Sequence, residues 1–225
     1  RSRDAAYRAK NLQFKAEKST YSVFRSEECL GDIELNVPGE HNVLNSLAAV
    51  VLGLEMGLSF QSIKNGIMRY KGVRRRFDIK GLLSNILIVD DYAHHPSEIK
   101  ATINSAKAGW NRRIIAVFQP HLFTRTKEFF KQFAEALKIA DVVIISEIYG
   151  AREKPIKGVT SELIFLELQR KMQNKCILLS NLNELERTLD RLLEPGDLLL
   201  TMGAGDIWRY NESYVEHMKK RLGKV

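Results

Sequence analysis

Cysteine is scarce in this sequence: Cys29 and Cys176 are the only two, and they lie far apart. Two distant thiols exclude a disulfide framework and a four-ligand zinc site, and they favour a reducing compartment. No apolar run is long enough to cross a bilayer, and no basic start with an apolar segment marks a signal peptide. We therefore expect a soluble cytoplasmic protein with no membrane partner. Because the chain begins at Arg1 rather than at methionine, we also expect a fragment or a processed form.

The phosphate-binding motif G-x-x-x-x-G-K-[ST] is absent as well. No loop of this chain can therefore hold the β- and γ-phosphates of ATP in that manner. Charge is unbalanced, with 35 Lys and Arg against 27 Asp and Glu and a net charge of +8, which suits an anionic partner. Most basic residues have acidic neighbours and only Arg74–Arg76 forms a tight cluster, so we do not expect a nucleic-acid partner.

The first third of the chain changes from alternating apolar runs to a helical pattern. Runs at Tyr21–Phe24 and Ile33–Val37 predict antiparallel strands. From Asn42 a series of small and aliphatic residues predicts a tightly packed helix that ends at Gly57. Ser59 then predicts the cap of a second helix, which continues to about Tyr70.

Beyond the connection Lys71–Phe77 the pattern becomes regular, with short apolar strands that alternate with amphipathic helices. The predicted strands are Ile86–Val89, Ile114–Phe118, Val142–Ile145, Cys176–Leu179 and Leu198–Thr201. This alternation predicts an α/β fold with a doubly wound parallel sheet, because each crossover places a helix on the sheet. We place the domain boundary between residues 1–72, a mixed α/β segment, and residues 73–225, the doubly wound domain.

The segment I-L-I-V-D-D-Y-A-H-H-P-S, Ile86–Ser97, joins an apolar run to a dense set of polar side chains. It predicts a buried strand, a loop and a helix that begins at Pro96. Ligands of open α/β sheets bind outside the carboxyl ends of the strands, so this loop is a candidate site. Its polar side chains are Asp90, Asp91, Tyr92, His94 and His95. The alternative is a surface loop with a helix cap at Ser97.

A second polar loop follows the next predicted strand, in F-Q-P-H-L-F-T-R-T, Phe118–Thr126. Its side chains would share a crevice with the first loop if the two strands are neighbours, as successive crossover strands usually are. Arg125 is suited to a carboxylate, and His121 and Thr124 add hydrogen-bonding groups. Thr126 could instead cap a helix that begins at Lys127.

Three further motifs could contact a nucleotide. Asn42 and Asn45 lie three residues apart at a helix start, where their amides suit a planar polar edge such as a purine, or else serve as a cap and a buried amide. Arg74–Arg76 could bind phosphate from a hinge or form an exposed linker. The turn Thr201–Ile207 could present N–H groups to an anion, although a tightly packed glycine turn is favoured.

Taken in order, G-E-H-N-V-L-N-S-L-A-A, V-R-R-R-F, D-D-Y-A-H-H-P, F-Q-P-H-L-F-T-R-T and G-A-G-D-I closely resemble the C-terminal part of the Mur ligases, in particular the alanine-adding branch. The resemblance covers nearly the whole chain. It implies that residues 1–72 end a central ATP-binding domain and that residues 73–225 form a Rossmann-like amino-acid domain. It also implies ATP-dependent ligation of L-alanine to UDP-N-acetylmuramate through an acyl phosphate. The Mg²⁺ ligands would lie mostly upstream, the fragment would be inactive alone, and a homodimer is left open.

The resemblance implies a role for each site residue. Asn42 and Asn45 would contact the adenine of ATP, and Arg76 would reach the nucleotide from the hinge. Asp91 and His94 would be the catalytic residues. Tyr92, His94 and Arg125 would hold the L-alanine carboxylate, and His121 would be a further substrate-binding residue. Leu122 stands where many family members have a second arginine, so one contact near this carboxylate is missing from the pattern.

Two other functions stay open at this point. The murein tripeptide ligases share D-D-x-A-H-H-P but differ at the Q-P-H-x-x-T-R-T loop, so Gln119–Thr126 favours the alanine-adding branch. A binding module for a nucleotide or an amino acid, without catalysis, would also account for the polar loops.

Overall fold

The computed structural model describes residues 5–223, without the side chain of Asn174. The first four residues of the predicted segment 1–72 and the last two of 73–225 therefore lie outside the description. The chain folds as two compact units. Unit 1 contains the described residues up to Val73 together with Asn104–Asn111, and unit 2 contains Arg74–Ile103 together with the described residues from Arg112 onward.

Unit 1 is a three-stranded antiparallel sheet with two helices. Its elements are β1 (Tyr7–Lys15), β2 (Lys18–Arg25), β3 (Glu28–Leu35), α1 (Glu40–Glu55) and α2 (Phe60–Met68). The antiparallel strands are confirmed, and so is the Ser59 cap, whose hydroxyl accepts the Ser62 N–H. Helix α1 begins at Glu40 rather than at Asn42, because Gly39, with φ of 100°, lets the chain turn into the helix two residues earlier. The core combines side chains of all these layers: Tyr21, Val23, Ile33, Leu35, Val43, Val50 and Ile63.

Unit 2 is built on a six-stranded sheet. Its elements are β4 (Asp78–Leu83), β5 (Ile86–Asp91), α3 (Pro96–Gly109), β6 (Ile114–Phe118), α4 (Phe123–Leu137), β7 (Val142–Ile145), α5 (Glu162–Met172), β8 (Cys176–Leu178), α6 (Leu185–Leu192), β9 (Leu198–Met202) and α7 (Ile207–Leu222). Two short 3₁₀ helices, Gln173–Lys175 and Leu182–Glu184, flank β8. The strand order is β4-β5-β9-β6-β7-β8, and all pairs except β4 with β5 are parallel.

The two faces of this sheet pack against different helices, as a doubly wound sheet requires. One face carries Ile88, Val117 and Leu199, which pack with Leu189 of α6 and Tyr214 of α7. On the opposite face the Phe118 ring contacts Phe133 of α4, with 5.2 Å between ring centroids. Strands β5, β6 and β9 are buried at every position, which explains the continuous apolar runs Ile86–Val89, Ile114–Phe118 and Leu198–Leu200 within them. None of the helices within residues 5–223 is long and apolar enough to cross a membrane.

The prediction that a helix begins at Pro96 is confirmed, whereas two local alternatives that the sequence left open in unit 2 are not what the structure shows. Helix α4 begins at Phe123 rather than at Lys127, so Thr126 is no cap: it lies in the first turn, and its hydroxyl donates to the Leu122 carbonyl. Ser97 lies inside α3, where its hydroxyl contacts His95 Nδ1. The Glu98 carboxylate instead caps α3, because it accepts the backbone N–H groups of His94 and His95, the two residues that precede the helix.

Candidate functional site

The predicted site residues of unit 2 meet at the carboxyl edge of its sheet, but not for the predicted reason. Strands β5 and β6 are not neighbours, because β9 lies between them. The order of strands is a tertiary property, and the sequence adjacency of β5 and β6 does not determine it. The loops after β5 and β6 nevertheless come together in front of β9. The turn after β9 therefore forms the floor between them.

His94, His121 and Arg125 form a cluster across these two loops. The His94 and His121 ring centroids are 6.1 Å apart, and Arg125 Nη1 lies 3.5 Å from His121 Nδ1. A guanidinium can only donate, so His121 Nδ1 must accept and the proton of the neutral ring belongs on Nε2. Burial, together with the charges of Arg125 and His94, lowers the pKa of His121 below its usual value, which favours this neutral form. Among the described residues no carboxylate pairs with Arg125.

His94 is oriented by its own loop. Its Nδ1 lies 2.9 Å from the Tyr92 carbonyl, so Nδ1 carries a proton, and in the neutral ring Nε2 is then an acceptor. Glu98 Oε2 lies 3.3 Å from the same Nδ1 and also accepts the His94 N–H. The Tyr92 ring meets His94 edge-on at 5.3 Å, and Tyr92 remains partly exposed.

The arginine cluster divides into residues with different roles. Arg75 is held inside the fold: Nε pairs with Asp90 at 3.2 Å and Nη2 donates to the Gly203 carbonyl at 2.6 Å. Its guanidinium also lies over the Tyr92 ring, 4.8 Å from the centroid. Arg76 is half exposed, with Glu98 at 3.7 Å as its ionic partner. Of these two, Arg76 is the one with a side chain available for a ligand.

Two adjacent buried carboxylates support the strand end. Asp90 accepts from Arg75 and from the Thr201 hydroxyl at 2.9 Å. Asp91 accepts the backbone N–H of Phe77 and that of Ala93, both at 2.7 Å. Burial raises the pKa of Asp91 to about 6, although the two N–H bonds act in the opposite direction. Both oxygens of Asp91 are thus bonded to the segments that carry Arg76 and Tyr92.

The glycine turn after β9 is packed tightly, as favoured from its sequence. A Cβ at Gly203 would lie 2.9 Å from the Gln119 carbonyl oxygen, and a Cβ at Gly205 would lie 2.3 Å from Gln119 Oε1. The Gln119 side chain closes this turn, since Nε2 donates to Asp206 at 2.8 Å and Oε1 accepts the Ile207 N–H at 3.1 Å. Gln119, only 1% exposed, therefore locks the start of α7 and does not face a ligand.

Asn42 and Asn45 belong to unit 1. Asn42 is half-buried, and its Nδ2 donates to the Pro38 carbonyl at 2.8 Å, which leaves Oδ1 as its remaining acceptor. Asn45 is exposed on α1. The Asn42 amide thus stabilises the start of α1, whereas the Asn45 amide is accessible to solvent.

Comparison with known proteins identifies the family. Residues 75–205, more than half of the chain, match the profile described as Mur ligase, glutamate ligase domain. The chain belongs to the Mur ligase family. Its fold, a mostly parallel six-stranded sheet between helices, is that of the C-terminal domain of this family.

Individual Mur ligases are similar over almost the whole chain. The UDP-N-acetylmuramate–L-alanine ligase of Geotalea uraniireducens is 39% identical over 221 residues, which is 98% of this chain and 48% of that protein. The enzyme of the same name from Salinibacter ruber is 42% identical over 222 residues, with 98% and 47% covered. The crystal structure of the alanine ligase MurC from Thermotoga maritima superposes with a TM-score of 0.82 at 28% identity, covering 96% of this chain and 46% of that one. The chain spans about half the length of the curated relatives it matches.

The Mg²⁺ ion that the resemblance implies has no candidate ligand cluster among the described residues. Within residues 5–223 no group of three or more His, Cys, Asp or Glu side chains could hold a metal.

Three residues that support the candidate site were not identified from the sequence. The ion pair between Arg75 and Asp90 could not be predicted, because the sequence does not distinguish among three consecutive arginines. Tyr149 and Glu153 were not considered at all, although they follow β7 at the same edge of the sheet. That shared edge is the signal that could have identified them.

Proposed function

We propose that the full-length protein containing this chain is an ADP-forming ligase that joins L-alanine to UDP-N-acetylmuramate in peptidoglycan synthesis. Unit 2 would supply the amino-acid site. The observation that carries the proposal is the cluster of His94, His121 and Arg125: the Arg125 guanidinium has no carboxylate partner among the described residues and lies beside His121, whose ring lies next to that of His94. The similarity to enzymes named as alanine ligases supports the choice of substrates.

Arg125 would bind the carboxylate of L-alanine. A guanidinium presents two parallel N–H groups to a carboxylate, and the neutral His121 ring adds an N–H at Nε2. Tyr92, which is partly exposed on the loop after β5, would cover the small substrate. On the loop after β6, Leu122 supplies an apolar side chain where many members of the family have an arginine.

His94 would receive the amino group. In the neutral ring its Nε2 is an acceptor, so it can bind the substrate ammonium and take a proton as the free amine forms. The amine would then attack the acyl phosphate made from ATP and the muramate carboxylate, forming the amide bond and releasing phosphate. Holding the amine in place can supply a large part of such a rate, up to roughly 7–11 kcal/mol for well-oriented reactants.

Asp91 and the nucleotide residues complete the proposal. Because both of its oxygens hold backbone N–H groups, Asp91 would act by fixing the loop that carries Tyr92 and His94. Arg76 would contact the phosphates of ATP, and Asn42 with Asn45 would contact adenine.

The test is product formation by the full-length protein. We expect ADP release to require UDP-N-acetylmuramate and L-alanine together, with UDP-N-acetylmuramoyl-L-alanine detected by mass spectrometry. A murein tripeptide offered in place of L-alanine should give no product. If the enzyme instead ligated the tripeptide to UDP-N-acetylmuramate but did not ligate L-alanine, the proposal would be overturned in favour of a recycling ligase. Binding of L-alanine in a calorimeter without any ADP release from the complete mixture would indicate a non-catalytic binding module.

A further inference from the structure

The loop between β7 and α5, residues 146–161, reaches the site from a third strand. Tyr149 is bonded to the loop after β6 on both sides of its peptide: its N–H donates to the Pro120 carbonyl at 2.8 Å, and its carbonyl accepts the Leu122 N–H at 3.0 Å. These bonds pair Tyr149 in parallel with His121. The main chain around His121 is thus fixed from outside its own loop.

The Tyr149 side chain then lies on the His121 ring. The ring centroids are 5.8 Å apart and the planes are inclined by 15°, a stacked arrangement. A Cβ at position 205 would lie 2.6 Å from Tyr149 Cγ, so the glycine there leaves the space that the tyrosine ring occupies. Tyr149 is more than one-third exposed, so the fold does not bury this ring as a core residue.

Glu153 of the same loop acts on the first turn of α4. The residue before the helix, Leu122, has φ of 71° and no side chain that can cap. The Glu153 carboxylate accepts the Thr124 N–H at 3.0 Å and also the Thr124 hydroxyl. A carboxylate at a helix N-terminus satisfies an otherwise unpaired N–H and is favoured by the helix dipole. The turn held in this way contains Arg125.

We propose that Tyr149 and Glu153 are positioning residues for the amino acid: Tyr149 fixes the plane of the His121 ring, and Glu153 fixes the helix turn that presents Arg125. The inference rests on the proposed function of the site, since it concerns the grip on the L-alanine carboxylate. Neither side chain needs to touch the substrate. Each acts on one of the two groups that would bind the carboxylate.

The kinetic test uses the full-length protein with single substitutions. Because each substitution removes one stacking or capping contact, Tyr149→Ala and Glu153→Ala should each raise the KM for L-alanine about two- to tenfold. The KM for ATP should not change. Tyr149→Phe keeps the ring and should stay near wild type, Glu153→Gln should recover part of the loss, and Lys154→Ala serves as a control on an exposed neighbour.

A second measurement does not depend on activity. In the 225-residue chain, NMR titration of the His121 ring should show a higher pKa in Tyr149→Ala than in Tyr149→Phe, because the stacked ring limits solvation of the imidazolium. An unchanged KM for L-alanine in both alanine variants, together with lower melting temperatures, would reduce the two residues to structural supports and overturn the inference. A different outcome separates this inference from the proposed function. If the His121 titration differs between Tyr149→Ala and Tyr149→Phe but the full-length wild type shows no alanine-dependent turnover, the contact between Tyr149 and His121 is retained and the proposed function is refuted.

Discussion

The imidazoles of His94 and His121 lie 6.1 Å apart between ring centroids although a whole strand, β9, separates the strands that precede them. Backbone hydrogen bonds explain how the gap is closed. The Gln119 N–H donates to the Met202 carbonyl at 2.9 Å, and the Gly203 N–H donates to the Asp91 carbonyl at 3.2 Å. The two polar loops are therefore attached to opposite sides of the strand that separates them, and both meet above its glycine turn.

Arg75 and Arg76 should respond differently to substitution. Arg75→Ala leaves the buried Asp90 carboxylate without its ionic partner, which should lower the free energy of unfolding by about 3 kcal/mol. Arg76→Ala removes a half-exposed side chain whose contact with Glu98 is worth less than about 1 kcal/mol. Thermal melting of both variants measures the difference.

In the full-length enzyme, Arg76→Ala should raise the KM for ATP while the KM for L-alanine stays constant. If only the alanine dependence suffered, Arg76 would belong to the amino-acid site and the proposed nucleotide contact would be wrong. Equal melting temperatures for Arg75→Ala and wild type would likewise contradict the structural role of Arg75.

Asp91 should titrate far above an ordinary aspartate, with a midpoint near pH 6 against an ordinary value of 3.8. Between these two values the folded chain binds more protons than the unfolded chain. The Asp91 contribution to the free energy of unfolding is therefore fully present below about pH 4 and is lost as the pH rises through 6, by at most about 3 kcal/mol. Carbon-detected NMR of the Asp91 carboxyl group gives the midpoint directly.

Asp91→Asn provides the matched variant for this titration. Asparagine has one acceptor oxygen, so either the Phe77 or the Ala93 N–H loses its partner, a loss that does not depend on pH. The difference in unfolding free energy between wild type and variant should consequently change between pH 4 and 6 and be constant above 7. A difference that is flat from pH 4 to 7 would contradict the raised pKa.

The isolated 225-residue chain should neither hydrolyse ATP nor form the amide. Its sequence has no phosphate-binding motif, and the described residues offer no metal site. Measurement of phosphate release against a buffer blank tests this, with the full-length enzyme as the positive control. Turnover by the pure chain would refute the idea that the remaining residues of the full-length enzyme supply the nucleotide cradle.

The local fold was predictable where burial alone determines the pattern. Strands Ile114–Phe118 and Val142–Ile145 begin and end as predicted, because each is apolar throughout and covered on both faces. The edge strand Asp78–Leu83 was not predicted, because no position in it is fully buried and a register shift between Ile79 and Gly81 interrupts the alternation. Its only local signal is the hairpin turn Ser84–Asn85, where both residues have positive φ.

The sequence predicted that the polar loops after β5 and β6 lie at the same edge of the sheet, but not how they are brought together. The polar residues after β5 and β6 were found because strand ends are natural ligand sites, yet nothing in either segment indicates that β9 separates them. Arg75, Tyr149 and Glu153 gain their roles only from partners far along the chain. Such partners are set by tertiary packing, so local residue patterns cannot reveal them.

Arg125 is the residue on which we expect substrate binding to depend most. Its guanidinium lies 3.5 Å from His121 Nδ1 and has no carboxylate partner among the described residues. A purely structural role, in which Arg125 would pair with Asp90 or Asp91, is not what the structure shows, since Asp90 pairs with Arg75 and Asp91 with backbone N–H groups. Arg125→Ala should therefore leave the melting temperature close to that of wild type.

The same substitution should weaken L-alanine binding by the value of a charge-assisted hydrogen bond, about 1.5–3 kcal/mol, so the KM for L-alanine should rise about ten- to a hundredfold. Arg125→Lys should recover only part of the loss, because an ammonium keeps the charge but cannot present two parallel N–H groups. Steady-state kinetics with L-alanine as the varied substrate, alongside a melting curve of each variant, measure both effects. An unchanged KM in Arg125→Ala would remove the guanidinium from the substrate site. A wild-type KM in Arg125→Lys would show that the carboxylate requires a positive charge and not the two parallel N–H groups of a guanidinium.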